Sequence, residues 1–122
     1  MSEERRPKFI ADADLNRSII IGVRLREPTV DFLTAREGAT LGLADPQVLA
    51  RGASTARVVV SSDQSTMPRH FWKFIDSHES PGMIIVPQSV ELLWAIDELL
   101  RIWAESGPES LNNQIRWIRA RS

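Results

Sequence analysis

The sequence contains no cysteine, which excludes disulfide bonds, thiolate metal sites and cysteine nucleophiles. It also lacks any long unbroken run of apolar residues, so we expect no transmembrane helix and no membrane partner. The first eight residues are polar and contain no apolar segment of the kind found in signal peptides. Together these absences favour a cytoplasmic protein.

Lysine is scarce: Lys8 and Lys73 are the only two, and the other cationic side chains are arginines in a chain of net charge −1. A charge so close to zero argues against a bulk polyanion binder. Arginine favours bidentate contact with phosphate, although a genome rich in GC also enriches arginine over lysine. A phosphoacceptor receiver domain needs a lysine after its last strand, and neither lysine lies there.

Several nucleotide and hydrolase motifs are also missing. No Gly-x-Gly-x-x-Gly follows the first predicted strand, and no Walker loop is present, so dinucleotide-binding and P-loop folds are excluded. No Gly-x-Ser-x-Gly elbow supports a serine hydrolase. His70 and His78 have no neighbouring cysteine or His-Glu-x-x-His pattern, so a zinc site is not expected.

The length and the apolar pattern predict one α/β domain at residues 8–122, after a flexible lead-in at residues 1–7. Short apolar or β-branched runs predict strands at residues 8–11, 29–34, 57–61 and 83–86. Helices should begin near Asp14, Asp45, Pro68 and Ser89, and a peripheral last helix should span residues 111–121. This alternation predicts a three-layer α-β-α domain with a mostly parallel four-stranded sheet.

Aspartates occupy the positions where this sheet should bind ligands. Asp12 follows the first strand, Asp63 follows the third strand, and Asp45 stands before Pro46 at a helix start. Ligands of parallel α/β sheets bind at the carboxyl ends of the strands. Carboxylates brought together there repel one another unless a hard cation such as Mg²⁺ or Mn²⁺ neutralises them. The sequence therefore predicts an acidic metal site.

Each of these acids also has a structural alternative. Asp14 and Asp45 could cap helices, with Asp14 otherwise an additional metal ligand and Asp45 able to combine both roles. Asp63 could form an ordinary Asx turn. The hydroxyls of Ser61 and Ser62, which directly precede Asp63, could hydrogen-bond and orient its carboxylate.

Three motifs in this order resemble PIN-type nuclease domains. Asp12-Ala-Asp-Leu-Asn resembles their opening Asp-x-Asn/Asp, Asp45-Pro-Gln-Val-Leu-Ala resembles their helix-borne Asp, and Ser61-Ser-Asp resembles their Thr/Ser-x-Asp strand end. The stretch 9–103 is similar to a compact PIN-like family of bacterial proteins that is related to the Mut-seven C-terminal domain. Members are often proposed as toxins of toxin–antitoxin pairs.

The resemblance implies a metal-dependent endoribonuclease. Asp12, Asp45 and Asp63 would hold Mg²⁺ or Mn²⁺ and carry catalysis, with Asp14 as a further ligand and Ser61 and Ser62 supporting the acids. PIN nucleases have a further Glu on the helix after the second strand, where this chain has a loop containing Glu37. The alternative is a catalytically inactive PIN-like protein-interaction module.

Substrate and partners have candidate residues of their own. Arg17, Arg36 and Arg69 follow strand ends or lie in adjoining loops, so they could contact RNA phosphates or remain solvated. The predicted helix at residues 90–105 is apolar on more than one face, which indicates burial, a homodimer interface or a groove for an antitoxin. The tail interleaves arginine with Trp117 and could either bind RNA or pack as an amphipathic end helix.

Overall fold

A computed structural model describes residues 5–121, and the first four residues of the predicted lead-in lie outside that range. Within it the chain forms five parallel strands, β1 (Phe9–Ala11), β2 (Phe32–Leu33), β3 (Val58–Ser61), β4 (Met83–Ile85) and β5 (Ile115–Trp117). Four helices alternate with them, α1 (Arg17–Arg26), α2 (Asp45–Ser54), α3 (Thr66–Phe74) and α4 (Leu92–Glu105). The predicted α/β class is confirmed.

The interior strands are buried on both faces. Every residue of β1, β3 and β4 is buried, as expected for a parallel sheet covered by its own crossover helices. Successive side chains of a strand point to opposite faces, so Phe9 and Ala11 pack in the cluster that contains α1 and α4. Ile10 packs in the second cluster, with α2 and α3.

Helices α1 and α4 pack against each other on one face of the sheet. A Cβ atom at Gly22 of α1 would clash with the terminal methyl of Ile96 in α4, so a larger residue at position 22 would force the Ile96 side chain to move. Arg26 and Asp97 form an ion pair across the same two helices. The prediction that α4 is broadly apolar is explained in part by this contact, because Ile96 and Leu99 are buried while Leu93 remains 58% exposed.

The predicted helix at residues 111–121 is wrong, because this segment turns and then forms β5. The Met83 amide of β4 donates to the Gln114 carbonyl at 3.0 Å, and the Ile118 amide donates to the Ile85 carbonyl at 2.9 Å. Pairing satisfies backbone groups along the edge of β4 that a terminal helix would leave open. The sheet therefore has five strands rather than the four predicted.

The segment between β2 and α2 is a loop, as predicted, and it is fixed to the end of β1. The Thr40 hydroxyl donates to the Ala11 carbonyl at 2.7 Å, and the Thr40 amide donates to the Ala35 carbonyl at 2.9 Å. A Cβ atom at Gly38 would lie 2.5 Å from the Ile10 side chain, so glycine permits the close approach. This loop borders the carboxyl edge of the sheet.

Candidate functional site

The strand order β2-β1-β3-β4-β5 places a switch point between β1 and β3. From β1 the chain crosses to β2 on one side, and from β3 it crosses to β4 on the other, so a crevice opens between the two strand ends. Asp12 follows β1 directly, and its amide donates to the Val60 carbonyl of β3 at 2.9 Å. Asp63 lies two residues beyond β3. The predicted acids therefore flank the switch point.

Ser61 connects the two acids that follow β1. Its Oγ donates to Asp12 Oδ2 at 2.9 Å and lies 3.3 Å from Asp14 Oδ1. The Ser62 amide, rather than its hydroxyl, donates to the same Asp14 oxygen at 3.1 Å. Ser61 Oγ also accepts the Asp63 amide at 3.0 Å. The two serines were expected to orient Asp63, and in the structure they hold Asp12 and Asp14.

Thr66 connects the other two acids. Its hydroxyl donates to Asp63 Oδ2 and lies 3.2 Å from Asp45 Oδ2. Asp63 Oδ1 accepts the amides of Ser65 and Thr66, both at 2.9 Å, so Asp63 forms an Asx turn that caps the first amides of α3, although the N-cap residue itself is Ser65. Ala44, rather than Asp45, is the N-cap of α2, and the Asp45 carboxylate faces the site instead.

The four carboxylates differ in their electrostatic environment. Burial raises the pKa of the Asp12 carboxyl; the Ser61 hydrogen bond opposes this, and the charges of Asp14 and then Asp45 raise it further. Burial would also raise the pKa of Asp63, but hydrogen bonds from Thr66 and Ser65 outweigh it and lower the pKa to about 2. The ionised form of Asp12 is thus destabilised in this site, whereas the ionised form of Asp63 is stabilised.

Two side chains at this site were not among the predicted residues. Thr66 joins Asp45 to Asp63, and His70 Nε2 lies 3.9 Å from Asp45 Oδ2. His70 follows Thr66 by four positions in α3, so both side chains lie on one helix face. The spacing Asp63, Thr66, His70 was the signal in the sequence that could have placed them together.

Cavities lie on both sides of the acids. On the β2 side, a cavity of about 220 Å³ is lined by Asp12, Arg17, Arg36 and Leu41 together with apolar residues. On the β4 side, a cavity of about 280 Å³ is lined by Asp14 and by polar and apolar residues that include Asn16 and Gln88. The acids therefore stand in a crevice that continues in both directions.

The two cavities differ in charge. Arg17 and Arg36 line the β2-side cavity, whereas none of the described residues that line the β4-side cavity is cationic. Arg69 is exposed on α3, and no ion pair connects it with the four acids in the part of the chain that the structure describes. Of the three predicted arginines, the structure thus brings two to the crevice.

The residue types at this site fit a hard cation, because carboxylate oxygens are the ligands that Mg²⁺ and Mn²⁺ prefer. Their present arrangement is less complete. Within residues 5–121, no three His, Asp or Glu side chains converge in a group that could hold a metal ion. The Thr66 hydroxyl donates to Asp63 and also contacts Asp45. These two carboxylates would therefore have to turn away from Thr66 to join Asp12 and Asp14 around an ion.

Comparison with known proteins supplies no family for this chain: no family model, curated protein or solved structure matches it. Among the helices at residues 5–121, none is long and apolar enough to cross a membrane. The assignment of chemistry therefore depends on the geometry of the acidic crevice itself.

Proposed function

We propose that this chain is a metal-dependent endoribonuclease with a three-layer, PIN-like domain. The observation that carries the proposal is the half-buried Asp12, which lies at the switch point of the sheet and whose pKa is raised by burial and by the charges of Asp14 and Asp45. A cation there would relieve the repulsion among these acids. Asp12, Asp14, Asp45 and Asp63 would hold Mg²⁺ or Mn²⁺.

The chain's own residues would position the substrate and the ligands. A bound ion supplies activation of water and neutralisation of the charge that develops on the phosphate. Ser61 holds Asp12 and contacts Asp14, and Thr66 holds Asp63 beside Asp45. The crevice continues on both sides of the acids, which suits a polymer cut internally rather than a small molecule.

The decisive experiment is cleavage of a labelled RNA in Mn²⁺, Mg²⁺ or EDTA. We expect cleavage by the unaltered chain in either metal and none in EDTA. Asp12→Asn should reduce the rate about a hundredfold or more, since even the loss of residues that merely support metal ligands costs roughly 10- to 100-fold. Asp76→Asn, which removes an exposed carboxylate just beyond the C-terminal end of α3, is the matched control and should leave cleavage unchanged.

Asp63→Asn separates two roles of Asp63 in the same assay. An asparagine side chain can still accept the amides that Asp63 caps, so the variant should fold. Loss of cleavage in this variant would place Asp63 among the ligands. Full cleavage by Asp63→Asn, together with loss in Asp12→Asn, would assign Asp63 to capping alone.

The second candidate is a catalytically inactive PIN-like interaction module. It is favoured by the capping hydrogen bonds of Asp63 and by the incomplete ligand arrangement at residues 5–121. Its partner would be an antitoxin protein or a second copy of the chain. If neither the unaltered chain nor the two aspartate variants cleaved RNA in Mn²⁺, Mg²⁺ or EDTA, the result would favour this candidate over the nuclease.

The biological setting that we propose is a cytoplasmic toxin whose activity an antitoxin restrains, and it rests on the resemblance to PIN-like proteins. Expression of an active ribonuclease should arrest growth, and Asp12→Asn should relieve the arrest. Growth arrest that persists with the variant would contradict a toxic role for RNA cleavage.

A further inference from the structure

We propose that the β2-side cavity binds one nucleotide of a single-stranded RNA, with the phosphate held by Arg17 and Arg36 and the base against Leu41. The identity of the polymer rests on the proposed function. The binding itself does not require cleavage or a metal, so the two ideas can fail separately.

Unpaired cations are the first support. Arg17 and Arg36 make no ion pair and no side-chain hydrogen bond within the described residues 5–121, although both line the cavity. Other arginines are engaged: Arg24 pairs with Glu37, and Arg57 pairs with Asp31. Two guanidinium groups left available at one cavity suit a phosphate, which accepts several charge-assisted hydrogen bonds.

The apolar part of the lining is the second support, because a bare anion would not cover it. Leu41 is 52% exposed and lies at the cavity with the buried residues Leu15 and Ile20. A free phosphate would leave this apolar surface in water, whereas a nucleotide offers a flat base to cover it. The volume of about 220 Å³ lies below the roughly 300–1,000 Å³ of pockets for drug-sized ligands. The cavity therefore has room for about one monomer of a strand.

The loop that carries Arg36 is already ordered, which lowers the entropic cost of binding. The Thr34 amide donates to Glu37 Oε1 at 2.9 Å, and the Glu37 amide donates to Thr34 Oγ1 at 3.1 Å. These reciprocal bonds enclose Arg36, and Thr40 fixes the following residues to β1. Only the side chains of the loop need to become ordered when a ligand binds.

The position of the cavity beside Asp12 is a further support. Asp12 lines this same cavity, so a nucleotide held there would place its neighbouring phosphodiester next to the acids. Among the residues that line the cavity, the two arginines outnumber the single carboxylate, which suits an anionic ligand.

The test is calorimetric titration of the full chain in EDTA with 5′-UMP, uridine and inorganic phosphate. We expect 5′-UMP to bind more tightly than either uridine or phosphate, because only the nucleotide can contact both the two arginines and the apolar lining. Arg17→Gln and Arg36→Gln should each weaken 5′-UMP binding about tenfold, the size of one charge-assisted hydrogen bond. Leu41→Ser should weaken 5′-UMP and uridine while leaving phosphate unchanged.

Arg51→Gln is the matched control, since it removes the same charge from an exposed position in the last turn of α2, outside the cavity lining. Equal weakening in Arg51→Gln would show a general charge effect and would overturn the proposal. Binding of phosphate as tight as that of 5′-UMP, or an unchanged affinity in both cavity variants, would also overturn it. Intact 5′-UMP binding without RNA cleavage would retain the cavity and reject the nuclease, and cleavage without 5′-UMP binding would do the reverse.

Discussion

At the scale of single residues, Asp63 shows how one carboxylate can serve two purposes. It accepts the amides of Ser65 and Thr66 at the start of α3, and it also receives the Thr66 hydroxyl that lies near Asp45. A capping carboxylate at a helix N-terminus is stabilised as an anion by the amides and by the helix dipole. Asp63 therefore supports the fold even if it also binds a metal.

This role predicts a stability that depends on pH. The pKa of Asp63 is about 2 in the folded protein, against 3.8 for an ordinary aspartate, so its stabilisation is present above pH 3.8 and disappears as the pH falls through 2. We expect Asp63→Ala to lower the free energy of unfolding at pH 7 by about 1–2 kcal/mol, after allowance for solvent screening. The measurement is urea denaturation at pH 7 and at pH 2.5.

The difference between the unaltered chain and Asp63→Ala should shrink at the lower pH. Asp76→Ala is the control, because its carboxylate is exposed and accepts no hydrogen bond among the described residues. A penalty for Asp63→Ala that stays the same at both pH values would contradict the capping role.

The sequence predicted the positions of the acids better than their partners. Asp12 and Asp63 follow apolar strands, and that placement alone brings them to one edge of a parallel sheet. Thr66 and His70 could not be assigned in the same way, because their role depends on how α3 lies against Asp45. The spacing of Thr66 and His70 places them on one face of α3, but the packing of α2 on α3 decides that this face meets Asp45, and packing is not visible in the local sequence.

At the scale of elements, β5 depends on the backbone before β4. Gly82 has a φ of 117°, a conformation that side chains rarely permit, and a Cβ atom there would clash with the Leu111 backbone. Leu111 is fully buried just before β5. The glycine therefore allows the segment leading into the last strand to approach the sheet closely.

We predict that Gly82→Ala destabilises the protein by roughly 2–4 kcal/mol, since it combines backbone strain with overpacking. Urea denaturation would give this value. Gly107→Ala is the matched control, because its added Cβ would meet only Ser110 Oγ, at 3.6 Å, and it should cost much less. Equal losses from the two substitutions would contradict the close approach at Gly82.

Most elements could be predicted from the sequence because each has a strong local pattern. The β-branched run in β3 and the Asp-Pro start of α2 are examples. The last strand could not, because Leu111, Ile115 and Ile118 have the spacing of a helix face and β5 contains only three residues. Its conformation is decided by pairing with β4, a long-range interaction that local pattern does not report.

At the scale of the whole molecule, the net charge is −1, but the charged groups are unevenly distributed. Four carboxylates lie together at one edge of the sheet. Because the pKa of Asp12 is raised in the folded state, its ionised form costs stability at neutral pH. Asp12→Asn should therefore raise the melting temperature of the metal-free protein at pH 7.

The same substitution should remove the response to metal. An ion present at a hundred times its Kd stabilises a protein by about 2.7 kcal/mol, so saturating Mn²⁺ should raise the melting temperature of the unaltered chain by several degrees. In Asp12→Asn that increase should be absent, and the order of the two melting temperatures should reverse. Equal increases in both proteins, or in the control Asp76→Asn alone, would contradict binding at these acids.

The interior position of β1 has a consequence for how the chain acquires its structure. β1 is first in sequence, yet it pairs on one side with β2 and on the other with β3, where Phe9 faces Val58. Neither pairing can form until a long intervening segment has been synthesised and its loop closed, which slows folding relative to a helical bundle of similar size. During translation, β1 therefore remains unpaired until β2 has left the ribosome, and its other edge remains open until β3 follows.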